Sequence, residues 1–187
     1  MERLLAELQN QIDAIYGKDD KILVFGEGAL SARVMLIGEA PGEQETLQKR
    51  PFVGKAGKNL DEFLQLAQLN RSELYVTNTV KFRPTRVSKA GRIVNRPPTK
   101  EEIELFRPFL LREIEWVHPE YVVTLGNVPL QTLTNRDTVI GAVHGQVLNA
   151  AGFLLYPMYH PASMIYNPTL REVYRTDVLR LAELLNT

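Results

Sequence analysis

Cysteine is absent from all 187 residues. That excludes a disulfide framework, a thiol nucleophile and any metal cluster held by thiolates. Long apolar runs are absent too, and none approaches the ~20 residues that a membrane span needs. The opening stretch Met1-Glu2-Arg3-Leu4-Leu5-Ala6-Glu7 mixes acids with its leucines. A signal peptide has an uninterrupted apolar core instead, so the expected location is cytoplasmic, with no membrane partner. There is no internal repeat, low-complexity tract or linker, and no GxxxxGK[ST] phosphate loop. One sign of charge is missing locally. Residues 81–100 contain no acid but hold Lys81, Arg83, Arg86, Lys89, Arg92, Arg96 and Lys100. Because the formal net charge is zero, these seven cations are balanced by an equal excess of acid elsewhere. So dense a one-sign stretch more often faces a polyanion than plain solvent.

What remains, 44% hydrophobic and 24% charged, suits one soluble domain over residues 1–187. Val34-Met35-Leu36-Ile37 is an unbroken apolar run, read as a strand buried on both faces and ending at Gly38. Residues 74–77, 121–125 and 153–159 read the same way, and residues 22–25 as a shorter extended segment. Helical spacing over residues 2–16 puts Leu4, Leu5, Leu8, Ile12 and Ile15 on one face, closed by Gly17 and Asp19-Asp20. A second helix, over 56–67, carries Leu60, Phe63, Leu64 and Ala67. Thr99-Lys100-Glu101-Glu102 is a capping box for a third helix, with Ile103, Phe106, Leu110 and Ile114 inward and a kink expected at Pro108. A short helix follows from Val128. Asn167-Pro168 is expected to cap the last helix, whose stripe is Leu170, Val173, Tyr174, Val178 and Leu181. Strands alternating with helices predict an α/β fold: a three-layer α/β/α sandwich around a mainly parallel four-stranded sheet. Residues 83–98 read as one long loop, and loops of that length are functional or disordered.

Open α/β sheets bind ligands at the carboxyl ends of their strands. Three strands deliver a polar residue there: Glu39, aimed by the Pro41-Gly42 turn, Asn78 and His160. Singly these are a solvated acid, a turn former and a loop histidine. Together a carboxylate, an amide and an imidazole make a site for a polar planar ligand.

The motifs GEAPGEQE (38–45), RPFVGKAG (50–57), YVTNTVKFRP (75–84) and HPAS (160–163) resemble the uracil-DNA glycosylase superfamily, and within it family 4. The resemblance runs in collinear order over residues 24–181. It implies a DNA-repair enzyme that flips uracil out of DNA and hydrolyses its N-glycosidic bond. Such a reaction passes through an oxocarbenium-like sugar and a uracil anion, so water must be activated and negative charge stabilised. By resemblance, Glu39 orients or activates the water and His160 donates towards the uracil oxygen. Ala40, Glu45, Phe52 and Asn78 would hold the base. Asn78 offers an amide that matches the uracil edge and mismatches cytosine. Phe52 is either a stacking surface or a core aromatic. Glu45 is either a wall against the thymine methyl or a solvated acid at a helix start. Gly54 and Lys55, with Ala56 and Gly57, would meet phosphate through close backbone approach, and Lys81, Arg83, Arg86, Lys89 and Arg92 through charge. Ser163 and Met164, with Ile165, either wedge into the space left by the flipped base or staple the last helix.

Two departures from the family follow. Family 4 relatives usually hold an iron–sulfur cluster on four cysteines, two near the N-terminus and two flanking the basic loop. Here Phe82 and Phe106 stand at the latter positions and the first pair is missing. The resemblance therefore implies a protein with no cofactor and no metal, anchored there by an apolar cluster with residues such as Leu8 or Ile12. One branch carries a histidine in a related loop that bonds covalently to deoxyribose; none lies between 81 and 100 here, which implies turnover rather than trapping. A monomer acting on uracil-containing DNA is expected. Two alternatives stay open: a relative that binds uracil or abasic DNA without cutting it, and a nucleotide hydrolase using the Gly-rich 54–57 stretch.

Overall fold

An unbroken apolar strand needs cover on both faces, and the strand Val34–Gly38 has it. In chain order the elements are α1 (Glu2–Tyr16), β1 (Glu27–Gly28), β2 (Val34–Gly38), α2 (Glu43–Gln48), α3 (Lys55–Leu66), β3 (Tyr75–Asn78), β4 (Thr85–Val87) and β5 (Ile93–Asn95). There follow α4 (Lys100–Val117), β6 (Tyr121–Leu125), α5 (Asn127–Leu133), α6 (Ile140–Val143), β7 (Leu148–Ala150), β8 (Phe153–Met158), α7 (Ser163–Tyr166) and α8 (Leu170–Leu185). The computed structural model describes residues 2–18, 20–134, 137–150 and 152–186; Asp19, expected at the stop of the first helix, lies outside them. Alternate residues of β2 face opposite ways. Val34 and Leu36 pack with Leu60 and Phe63 of α3 and Tyr174 and Val178 of α8. Met35 and Ile37 pack with Leu110 and Ile114 of α4 and Leu130 of α5. Helices therefore cover each face of the sheet.

The sheet has six strands rather than four, in the order β1-β3-β2-β6-β8-β7. The four expected strands form its parallel centre. Two antiparallel edge strands, β1 beside β3 and β7 beside β8, make it mixed. They are two and three residues long, too short for a periodicity to show. Residues 22–25 do not join the sheet, although the Val24 N–H donates to the Lys81 carbonyl at 2.6 Å.

Residues 83–98 are not a plain loop. β4 and β5 form a separate antiparallel hairpin, Thr85 opposite Asn95 and Val87 opposite Ile93. The chain reverses at Gly91, whose φ of +72° favours glycine. The capping box of α4 forms in both directions between Thr99 and Glu102, and α4 runs on through Pro108 to Val117. The last helix is not capped by Asn167-Pro168 but starts one turn later. Asn167 Oδ1 accepts from both the N–H and the hydroxyl of Thr169, so the chain turns once more and α8 begins at Leu170.

On α1 only Leu4, Leu8 and Ile12 are buried; Ile15, expected on the same face, is 57% exposed. The buried three pack with Phe82, Phe106 and Phe109. The Phe82 and Phe106 rings meet edge to face at 5.6 Å, and the Lys21 ammonium lies over Phe82 and Tyr16. An iron–sulfur cluster does not fit these residues, because the chain supplies no thiolate and two rings fill the place. Among the described residues, no helix is long and apolar enough to cross a membrane.

Candidate active site

Gly38 is in register with Asn78, so Glu39 and Asn78 leave neighbouring strands at the same level. The chain beyond β3 is then stitched to the chain beyond β2. The Thr79 N–H and hydroxyl both donate to the Gly38 carbonyl, and the Val80 N–H donates to the Glu39 carbonyl. His160 follows β8. It stands against Gly126 after β6, where a side-chain carbon would lie 3.3 Å from the His160 Cβ. The parallel register thus carries three separated polar residues to one edge.

There they surround a cavity of about 480 Å³ that Ala40, Glu45, Phe52, Gly54, Asn78 and His160 help to line. Cavities of similar size lie between α4 and α5, beside Arg71 and beside His118 and Asn149; the first two have no imidazole, and the third lies at the amino ends of β6 and β8, away from the carboxyl edge. Glu39 does not line the cavity itself; its neighbour Ala40 does. Its carboxylate is half-buried, and burial raises its pKa above the ordinary value.

The cavity floor depends on a glycine. A Cβ on Gly38 would lie 2.4 Å from Asn78 Oδ1 and 2.5 Å from Phe52 Cζ, so any larger residue displaces both. Phe52 itself is held in the left-handed region at φ +52°, which costs roughly 1–2 kcal/mol. Two features enforce it. Arg71 donates to the carbonyls of Phe52 (3.0 Å) and Pro51 (2.7 Å) while paired with Asp61. Gly57 lets α3 approach so closely that a Cβ there would meet the Phe52 carbonyl at 1.8 Å. The Asn78 side chain is buried and makes no hydrogen bond to another described residue, which leaves its amide for a ligand.

His160 is set up as a neutral donor. The Ala162 N–H donates to Nδ1 at 3.1 Å, so the ring proton sits on Nε2. Burial lowers its pKa to about 4, only partly opposed by the negative charge of Glu45. Glu45 is fixed in turn, its Oε1 accepting the Gly54 N–H at 2.7 Å. That bond engages the Gly54 amide expected to meet phosphate. The first turn of α3 carries no side-chain cap, and Lys55 beside it is exposed.

Other expected DNA contacts divide. Lys81 is 2% exposed and paired with Glu113 at 2.6 Å, so it cannot reach phosphate. Met164 is buried in the core with α8 and cannot act as a wedge. Its neighbours Ile165 and Tyr166, 47% and 86% exposed, stand at the cavity instead. Ser163 is partly buried, its N–H donating to the His160 carbonyl. Arg83 bonds Asn95 and Glu43, and Arg96 forks onto Glu102. Arg86, Lys89 and Arg92 stay exposed on the hairpin. Sequence reasoning missed Gly38, Arg71 and Asn95, which also lines the cavity. Of these only Gly38, a glycine directly before a strand-end acid, left a signal in the sequence.

Known proteins are similar to this chain in sequence and in fold. A type-4 uracil-DNA glycosylase of Saccharolobus solfataricus is 38% identical over 176 residues, 89% of this chain and 78% of that protein. Another, of Archaeoglobus fulgidus, is 37% identical over 167 residues, 85% of this chain and 80% of that protein. The crystal structure of wild-type Pedobacter heparinus SMUG2 aligns with 100% of this chain and 85% of its own at a TM-score of 0.58. At 12% identity that likeness is one of fold. Residues 25–182 match the uracil DNA glycosylase superfamily. That span holds all four motifs and every residue of the cavity, and the chain belongs to that superfamily.

Proposed function

We propose that the protein is a monofunctional uracil-DNA glycosylase, a single-domain base-excision enzyme that needs no cofactor. The observation that carries this is the neutral Nε2–H of His160 sharing one cavity with an Asn78 amide that bonds no other described residue, in a member of this superfamily. A flipped uracil presents an N3–H donor beside an O4 acceptor, and one carboxamide satisfies both. Phe52 supplies the ring face on which the base stacks. As the bond from C1′ to N1 breaks, its electron pair goes to the base. His160 Nε2–H then donates to the uracil oxygen on which charge develops, at no cost in prior deprotonation. The half-buried Glu39 carboxylate, made more basic by burial, orients the water that attacks C1′ and accepts its proton. Glu39 returns that proton to solvent and the released uracil anion takes one up, leaving uracil and an abasic site. Ile165 and Tyr166 fill the vacated stack, and the exposed cations of the hairpin and Lys55 hold phosphates.

The test is incubation with a uracil-containing oligonucleotide followed by alkali. Strand cleavage at the uracil position, and none at thymine or cytosine, is expected. Tight binding without cleavage would establish the non-catalytic alternative.

A further inference from the structure

On the α4 side of β3, immediately behind Asn78, lies a buried polar network that the chemistry above does not use. The Lys81 ammonium donates to Thr77 Oγ1 at 2.6 Å, to the Asn78 main-chain carbonyl at 2.7 Å and to Glu113 Oε2 at 2.6 Å. Three protons thus meet three acceptors. Glu113 Oε1 also accepts from the Tyr75 hydroxyl at 2.9 Å and the Thr77 hydroxyl at 3.2 Å. Both charged side chains are 3% exposed. A buried ion pair is a poor source of stability, since apolar residues of similar size often do as well or better. Its place in the fold suggests another use.

Residues 78–81 leave the sheet carrying the pocket with them. Asn78 turns its amide to the cavity, Thr79 and Val80 bind the Gly38 and Glu39 carbonyls, and the Lys81 carbonyl holds Val24. The ammonium ties the first carbonyl of this turn to α4. Because the Asn78 side chain has no hydrogen bond to another described residue, its backbone and packing aim it. We infer that Lys81 and Glu113 are positioning residues: their buried pair fixes Asn78, and through Thr79 and Val80 the Gly38-Glu39 strand end, in the geometry for reading and excising the base. This rests on the glycosylase reading above.

The test replaces both charges while keeping volume, Lys81→Met with Glu113→Gln, so that no lone ion is left buried. The melting temperature should stay near that of the unaltered protein. The single-turnover rate on uracil DNA at saturating protein should fall about 10- to 100-fold, as expected for a misplaced reacting geometry, with DNA affinity little changed. The Asn78 side-chain NH₂ resonances, assigned with Asn78→Asp, should shift and broaden. If that pair of substitutions does not fold, Glu113→Gln alone loosens the lysine and should act in the same direction. Unchanged rate and unchanged Asn78 resonances, whatever the melting temperature, would overturn the inference. If the unaltered protein releases no uracil, the glycosylase reading fails while the resonances still decide the positioning role.

Discussion

At His160, burial and one backbone hydrogen bond decide which proton the imidazole offers and over what pH range. A histidine normally titrates near 6.5; here the neutral form persists down to about 4. The pKa of Glu39 moves the other way, raised by burial. In the proposed reaction both groups act in their deprotonated forms, so activity should be lost as pH falls, first through Glu39 and through His160 only below about 4. Single-turnover rates measured from about pH 4 to about pH 8 should therefore show one acid limb, that of Glu39, and none belonging to His160 near 6.5. Glu39→Gln should lower the plateau ~100-fold or more and abolish that limb. His160→Ala should lower it comparably without moving the limb. A limb near 6.5 that vanishes in His160→Ala would contradict the assignment. Glu39 and His160 were legible in the sequence, because a strand-end polar residue is a local pattern. Phe52's left-handed backbone was not, since Arg71, 19 residues away, enforces it.

Among the elements, α1 shows how a chain without cysteine ties the base of its basic hairpin to the body. Phe82 leaves the turn after β3, Phe106 lies in α4, and both pack against Leu8 and Ile12. Neither ring is more than 2% exposed, so neither can stack on a DNA base. Truncating a ring so fully enclosed costs about 3–5 kcal/mol, a large part of a domain's net stability. Thermal melts of Phe82→Ala and Phe106→Ala should each show that loss. Unchanged melting in either would mean that the cluster is not the anchor. The first helix was legible from its spacing at Leu4, Leu8 and Ile12. The outward turn of Ile15 was not, because spacing alone does not say where the partner surface ends.

Over the whole molecule, charge is distributed less lopsidedly than the sequence alone implies. Of the seven cations between 81 and 100, Lys81, Arg83 and Arg96 are engaged by Glu113, Glu43 and Glu102. Arg86, Lys89, Arg92 and Lys100 remain exposed, the first three on a hairpin joined to the cavity through Asn95. Neutralising Arg86, Lys89 and Arg92 together should weaken binding to all DNA sequences alike. It should also flatten the plot of log affinity against log salt by about 0.9 for each duplex phosphate that the hairpin no longer neutralises. An unaltered slope would show that the hairpin does not meet phosphate.

Short-range pattern was enough for the four central strands, the capped helix at Thr99 and the order in which Glu39, Asn78 and His160 reach one edge. These rest on periodicity, capping and strand termini, all of which act between residues a few positions apart. The two edge strands, the hairpin within residues 83–98, the burial of Met164 and the fate of Lys81 came instead from packing between distant parts of the chain. Each of those is settled by a partner that local pattern does not name. A lysine among arginines reads as a surface cation until Glu113, 32 residues on, folds over it and turns it inward behind Asn78.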